Sequence, residues 1–161
     1  MTLAAVMLAL ALKAPAAAAE KNNDTYIRQE YVAYCEEIGE QYSICPELLE
    51  AMIEVESSGR PGAYNAGCCG LMQVDATIHA DRIKRLGVSD IYDPYGNILV
   101  GADILAEKFE EYGDDLGLCL LHYNGCRNAE GMALENEFSE YADRVMARSY
   151  ELEEAHGKHD Y

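Results

Sequence analysis

The chain has 161 residues, half of them hydrophobic, which suits a single globular domain with a real core. Its formal charge of −17 argues against nucleic acid as a partner, whose phosphates call for lysine and arginine, and against electrostatic docking on anionic membranes. The plain reading of the acidity is solubility, well ahead of a specific basic partner.

Residues 1–19 run from Met1 through an apolar stretch into small residues, with Ala17 and Ala19 placed before a cut ahead of Glu20. This is read as a secretory signal peptide, with an uncleaved N-terminal anchor or a leftover of a longer protein as the alternatives. The run is short for a membrane span, has no basic start, and is interrupted by Lys13. Export is therefore the expectation, and the location is secreted or within the cell envelope.

Residues 20–42 form a lead-in and a first helix. Asp24 can cap that helix, which is expected to reach about Ile38 with Ile27, Tyr31, Tyr34, Cys35 and Ile38 as its stripe. Gly39 to Ile44 is read as the turn that follows. A second helix is expected from Pro46 to Ser58, with Pro46 at its first position and Gly59 just past its end. Leu49, Met52, Ile53 and Glu56 share one face at spacings of three and four. Glu47, Glu50 and Glu54 share another, expected to point to water.

Gly59 to Cys69 is too rich in glycine and proline for regular structure and suits one wall of a cleft. After a short turn at Gly70 to Val74, a helix is expected from Ala76 to Leu86 with Ile78, Ile83 and Leu86 inward. Pro94 opens the clearest amphipathic helix, with Ile98, Ala102, Leu105, Phe109 and Tyr112 on one stripe and Gly113 as its stop. Asp115 to Tyr123 reads as a buried helix broken by Asn124-Gly125. The last helix runs from about Ser139 to Glu154, and residues 155–161 read as a flexible tail. No alternating strand, repeat or second domain is found, so the fold class is all-α, or α+β at most.

Six cysteines are many for this length, and with export an even count suggests disulfides. Cys35 with Cys45 and Cys119 with Cys126 each bracket a turn and are the expected bridges; Cys68 and Cys69 find no partners. A set of small buried hydrophobes is the alternative. No C-x-x-C knuckle occurs, so neither a metal site nor a cofactor is expected.

Glu56 is the first candidate for chemistry, because a carboxylate on a core-facing stripe is costly unless it is paired, protonated or lining a cleft. A salt-bridged, inert glutamate at the helix end is the alternative. Asp75, Asp90 and Asp93 are the other carboxylates considered, and helix caps and turns account for them more simply.

Glu56-Ser57, then Gly70-Leu71-Met72-Gln73, then Tyr123-Asn124-Gly125 and a later Tyr141 follow one another at fitting intervals. This order resembles the transglycosylase SLT family, lytic transglycosylases with a goose-type lysozyme-like fold, over about Ser43 to Val145, within a domain placed at residues 43–154. Two features depart from the family pattern: His122 replaces the usual alanine before Tyr123, and Asp75-Ala76-Thr77 stands where a proline follows G-L-M-Q.

The resemblance implies a peptidoglycan lytic transglycosylase that acts without a cofactor. Glu56 would be general acid and then base for the bond between N-acetylmuramic acid and N-acetylglucosamine. Ser57, Met72, Gln73, Tyr123, Asn124 and Tyr141 would bind substrate or hold Glu56. The expected partner is the peptidoglycan glycan strand, met by a monomer. A hydrolytic muramidase of the same fold is one alternative. Another is a non-catalytic glycan-binding component of a secretion, conjugation or phage assembly apparatus.

Overall fold

The computed structural model describes residues 25–125 and 139–158. Among them are six helices and three two-residue strands. Helix α1 (Gln29–Tyr42) buries Tyr31, Val32, Cys35 and Ile38. It runs on through Gly39 instead of ending there, because Gly39 faces the returning chain: a Cβ at this position would meet the Ile44 carbonyl oxygen at 2.6 Å. Glycine keeps the helix intact while the next segment crosses close to it. The N-terminal cap is Arg28; Asp24 and the leader at 1–19 lie outside the described residues.

Helix α2 (Pro46–Ser57) starts on its proline and ends with Ser58 in the left-handed region, its amide on the Glu54 carbonyl. Helix α4 (Pro94–Tyr112) likewise starts on a proline, with the Asp93 carboxylate accepting from the Gly96 amide at 2.8 Å. Before it come strands β1 (Tyr64–Asn65), β2 (Cys68–Cys69) and β3 (Val74–Asp75) and the short helix α3 (Ala80–Arg85). Helix α5 (Leu116–Tyr123) is capped by Asp115 and α6 (Glu140–Ala155) by Ser139. These are helix starts that the acidic and hydroxyl caps announce. Helix α2 lies between α1 and α6, α4 packs on α1 and α5, and α5 packs on α6.

The strands form one antiparallel sheet in the order β1-β2-β3, with Tyr64 opposite Cys69 and Cys69 opposite Val74. Strands of two residues leave no alternating pattern to read, which is why the sequence suggests none. The helix expected from Ala76 begins only at Ala80. The Asp75 Oδ1 accepts from the amides of Thr77 and Ile78 at 2.8 and 2.9 Å, holding a turn there, and Ile78 is 76% exposed instead of inward.

The acidic face of α2 is the largest correction. Glu47, Glu50 and Glu54 are buried, not solvated. They face α6 and the turn after it. Arg148 donates to both carboxylate oxygens of Glu54, at 2.6 Å from Nε and 3.2 Å from Nη2. His156 Nδ1 and Lys158 Nζ each lie 2.6 Å from a Glu47 oxygen. Residues 156–158, read from sequence as tail, are thus tied to α2. Only partners far along the chain make this face stable, so its own spacing could not reveal it.

The expected Cys35–Cys45 bridge is not formed. Cys35, Cys45, Cys68, Cys69 and Cys119 are all free thiols. Cys35 is fully buried in the core, and Cys45 turns its sulfur to a Glu47 oxygen at 2.9 Å. Cys126, and with it the Cys119–Cys126 pairing, lies outside the described residues.

Candidate active site

Glu56 sits in the last turn of α2, half-buried, while its helix neighbours Met52 and Ile53 are fully buried. Burial raises its pKa to about 7, and the nearby Tyr141 hydroxyl lowers it in part. The carboxyl group therefore keeps a proton near neutrality, as a general acid must. Tyr141 enters from the first turn of α6. Its buried hydroxyl lies beside Glu56 and forms no regular hydrogen bond among the described residues. Burial first, and then the negative charge of Glu56, push the pKa of Tyr141 well above its ordinary value.

Tyr123 comes from the last residue of α5 and donates its hydroxyl to the Met72 carbonyl at 3.0 Å. Burial and Glu56 raise its pKa as well. The structure thus brings Glu56, Tyr123 and Tyr141 together from three helices.

The turn from Gly70 to Gln73 joins β2 to β3. Met72 is fully buried against α4, where a Cβ on Gly101 would come within 2.6 Å of its sulfur. Gln73 adopts a φ of 48° and donates Nε2 to the Gly70 carbonyl at 2.9 Å. Asn97 holds the turn in place, a role its position on α4 did not suggest. Its Oδ1 accepts from the Met72 amide at 2.7 Å, and its Nδ2 donates to the carbonyls of Cys69 and Ile91 at 2.9 and 2.8 Å. The only sequence signal was a polar residue beside the apolar stripe of a long helix.

Gln73, Tyr123 and Asn124 line a cleft of about 370 Å³ together with Cys68, Asp75, His79, Lys108 and His122. Glu56 does not line this cleft itself, but its charge is felt by Cys68 and Tyr123, which do. Two larger hollows, each of about 520 Å³, lie beside Tyr42 and Phe109 and beside Tyr26 and Arg148, and Glu56 lines neither. Met72 and Ser57 are both buried. The Ser57 hydroxyl donates to the Ile53 carbonyl at 3.1 Å, so it is used within α2.

The other carboxylates considered are engaged in local structure. Asp75 holds its turn, Asp90 accepts from the Tyr92 amide at 2.9 Å, and Asp93 caps α4. Among the described residues no group of three His, Cys, Asp or Glu side chains could hold a metal ion, and no helix is long and apolar enough to cross a membrane. A half-buried acid beside two tyrosine hydroxyls, next to a cleft rich in polar side chains, suits proton transfer to and from a polyhydroxylated substrate.

Comparison with known proteins identifies the family. The model of the transglycosylase SLT domain family matches residues 33–145. A protein named transglycosylase from Enterobacteria phage PRD1 is 37% identical over 108 residues, covering 66% of this chain and 38% of that protein. The invasion protein IagB of Salmonella typhimurium is 35% identical over 80 residues, covering 45% and 49%. The endo-type membrane-bound lytic murein transglycosylase A of Klebsiella pneumoniae is 32% identical over 85 residues, covering 48% and 42%. The chain spans less than half the length of each of these relatives.

Proposed function

Because the chain belongs to the transglycosylase SLT domain family over residues 33–145, with the helical lysozyme-like architecture this entails, we propose that it cleaves peptidoglycan glycan strands without water. The observation that carries the reading is Glu56, an acid kept protonated near neutrality by burial, beside Tyr141 and Tyr123 and with no second carboxylate free for catalysis among those considered. Ordinary glycosidases need two carboxyl groups. A single one suffices if the substrate supplies the rest.

The protonated Glu56 donates to the oxygen linking N-acetylmuramic acid to N-acetylglucosamine, and the bond from C1 to that oxygen breaks. The acetamido oxygen of the same sugar stabilises the positive charge at C1. Glu56, now a carboxylate, takes the proton of the C6 hydroxyl as that oxygen bonds to C1. The products are a free 4-hydroxyl on one fragment and a 1,6-anhydro end on the other, and Glu56 regains its starting proton. Gln73, Tyr123 and Asn124 contact the sugar from the cleft wall, Met72 shapes that wall from behind, and Tyr141 stands against the Glu56 carboxyl. Ser57, its hydroxyl turned into α2, supports the helix end that presents Glu56.

The reading places the protein outside the cytoplasm, working on the wall as a monomer. One relative is named as a phage transglycosylase and another as an invasion protein, and a wall-crossing apparatus is the setting proposed for this chain. The test is digestion of purified peptidoglycan followed by mass spectrometry of the fragments. Anhydro-muramic ends are expected. Reducing muramic ends would make the protein a muramidase, and no released fragments would leave it a binding protein.

A further inference from the structure

We propose that the ion pair of the buried Glu54 with Arg148 is a positioning device that sets Tyr141 against Glu56 by fixing how α6 docks along α2; the catalytic consequence rests on the role given to Glu56 above.

The two helices meet in antiparallel sense. Moving up α2 from Glu47 to Glu54 to Glu56, the partners on α6 and its following turn run downward, from His156 and Lys158 to Arg148 to Tyr141. A slip of one helical turn, about 5.4 Å, would carry Tyr141 away from Glu56 altogether. The register therefore needs a directional contact. Ala142 and Val145, which bury this part of α6, give packing without polar direction. Among the described bonds between α6 and α2, those of Arg148 lie nearest to Tyr141 along the helix.

The chemistry of the pair suits a fixed register. Glu54 is almost wholly buried, and Arg148 grips both its oxygens through Nε and Nη2. Two bonds from one rigid guanidinium set orientation as well as distance, which a lysine cannot do. Glu54 is also fixed from its other side. Its Oε1 accepts from the Thr25 hydroxyl at 2.5 Å and from the Tyr26 amide at 3.3 Å. Nη1 of Arg148 is held in turn by Glu151 at 3.0 Å. The site thus resists both rotation of the carboxylate and sliding of α6.

The experiment reads the Glu56 carboxyl directly, by a carbon-13 NMR titration of labelled protein without substrate. The variants are Arg148→Ala, Arg148→Lys, Tyr141→Phe and the charge-neutral pair Glu54→Gln with Arg148→Gln, which keeps the test alive should Arg148→Ala fail to fold. Tyr141→Phe and the folded Arg148 variants are each expected to raise the Glu56 midpoint by about half a pH unit, because the Tyr141 hydroxyl beside Glu56 lowers its pKa by a weak polar contact at the low end of a hydrogen bond's contribution. Combined, they should raise it no further, because both remove the same contact. Arg148→Lys should fall between. With peptidoglycan, kcat should drop about 10-fold to 10²-fold while KM barely moves. The proposal is overturned if Glu56 titrates as in the parent in folded Arg148 variants, if Tyr141→Phe leaves it unmoved, or if the two shifts simply add. A shared shift in a protein that releases no anhydro ends would keep the positioning role and refute the lytic reaction.

Discussion

Asn97 takes the Met72 amide on its Oδ1 at 2.7 Å, so the turn that presents Gln73 to the cleft hangs from one buried side chain of α4. The same amide nitrogen of Asn97 donates to Cys69 and Ile91, which leaves neither end of the side chain idle. Asn97→Leu removes three bonds at once and strands an amide and two carbonyls. A loss of about 3–5 kcal/mol is expected, since each buried group left unmatched costs about 1–3 kcal/mol. Urea unfolding measures it. A loss under about 1 kcal/mol would mean that the turn holds itself.

Gly101 sits where α4 passes under the same turn. A Cβ there would meet the Met72 sulfur at 2.6 Å and the Met72 Cβ and Cε both at 2.9 Å. The sulfur can swing away, but the Met72 Cβ is tied to a backbone that Asn97 and Tyr123 hold. Gly101→Ala gains up to about 1 kcal/mol of helix propensity and incurs about 1–3 kcal/mol of overpacking. Net destabilisation is expected, together with lower activity, because the displaced Met72 carbonyl accepts from Tyr123. Gly62→Ala, with open space around the added carbon, should melt as the parent does. Equal melting temperatures for both variants would show that Met72 yields freely.

The sequence made some of these features plain and hid others for physical reasons. Helices α2 and α4 announce themselves through proline at the start and apolar residues at helical spacing. Glu56 stands out as a lone acid on an apolar stripe. Asn97 and the acidic face of α2 could not be read in the same way. Glu54 depends on Arg148, 94 positions away, and Glu47 on Lys158, 111 positions away. Three glutamates at helical spacing look the same whether water or a distant arginine faces them. The small sheet was invisible because each strand is only two residues long.

That buried acidic face gives stability an uncommon pH dependence. Glu50 is 1% exposed, and its Oε2 has no hydrogen-bond partner. Burial raises its pKa from 4.5 to about 7; His156 opposes the rise, while Glu47, Glu54 and Glu36 add to it. Because the folded state binds the proton more tightly than the unfolded chain, this stability is fully present below pH 4.5 and is lost as pH climbs through about 7. Glu56 acts in the same sense. Glu47 acts in the opposite one. Burial pushes it up, but Cys45, Lys158 and His156 together bring it down to about 2, so its contribution is lost as pH falls from 4.5 towards 2. The melting temperature should therefore peak near pH 4.5 and decline towards neutrality. Glu50→Gln should flatten that decline by an amount on the order of 3 kcal/mol at pH 8, as an upper bound. A variant with the same slope as the parent between pH 5 and 8 would show that Glu50 is not the group responsible.

Glu56→Gln separates chemistry from fold. The amide keeps the shape and the neutral state that the protonated acid has, but it has no proton to give. Neutralising a buried acid should leave the melting temperature unchanged at low pH and raise it slightly above pH 7, where the parent is forced to ionise this group. Losing general acid–base catalysis typically costs about 10²–10⁴-fold in rate, and one residue serves both steps here, so the upper part of that range is expected. In the parent, activity should fall as pH rises past about 7, since only the protonated form of Glu56 can begin the reaction. Glu54→Gln is no control for this experiment, because Glu54 is buried and held by Arg148. Glu40→Gln serves instead: it lies exposed on α1, and its substitution should change neither melting nor rate. The measurement is release of soluble fragments from peptidoglycan, with melting curves of all three proteins across pH. If Glu56→Gln keeps most of its activity while folded, or the parent shows no decline above neutrality, the proton does not come from Glu56, and the acid must be sought among the residues that line the cleft.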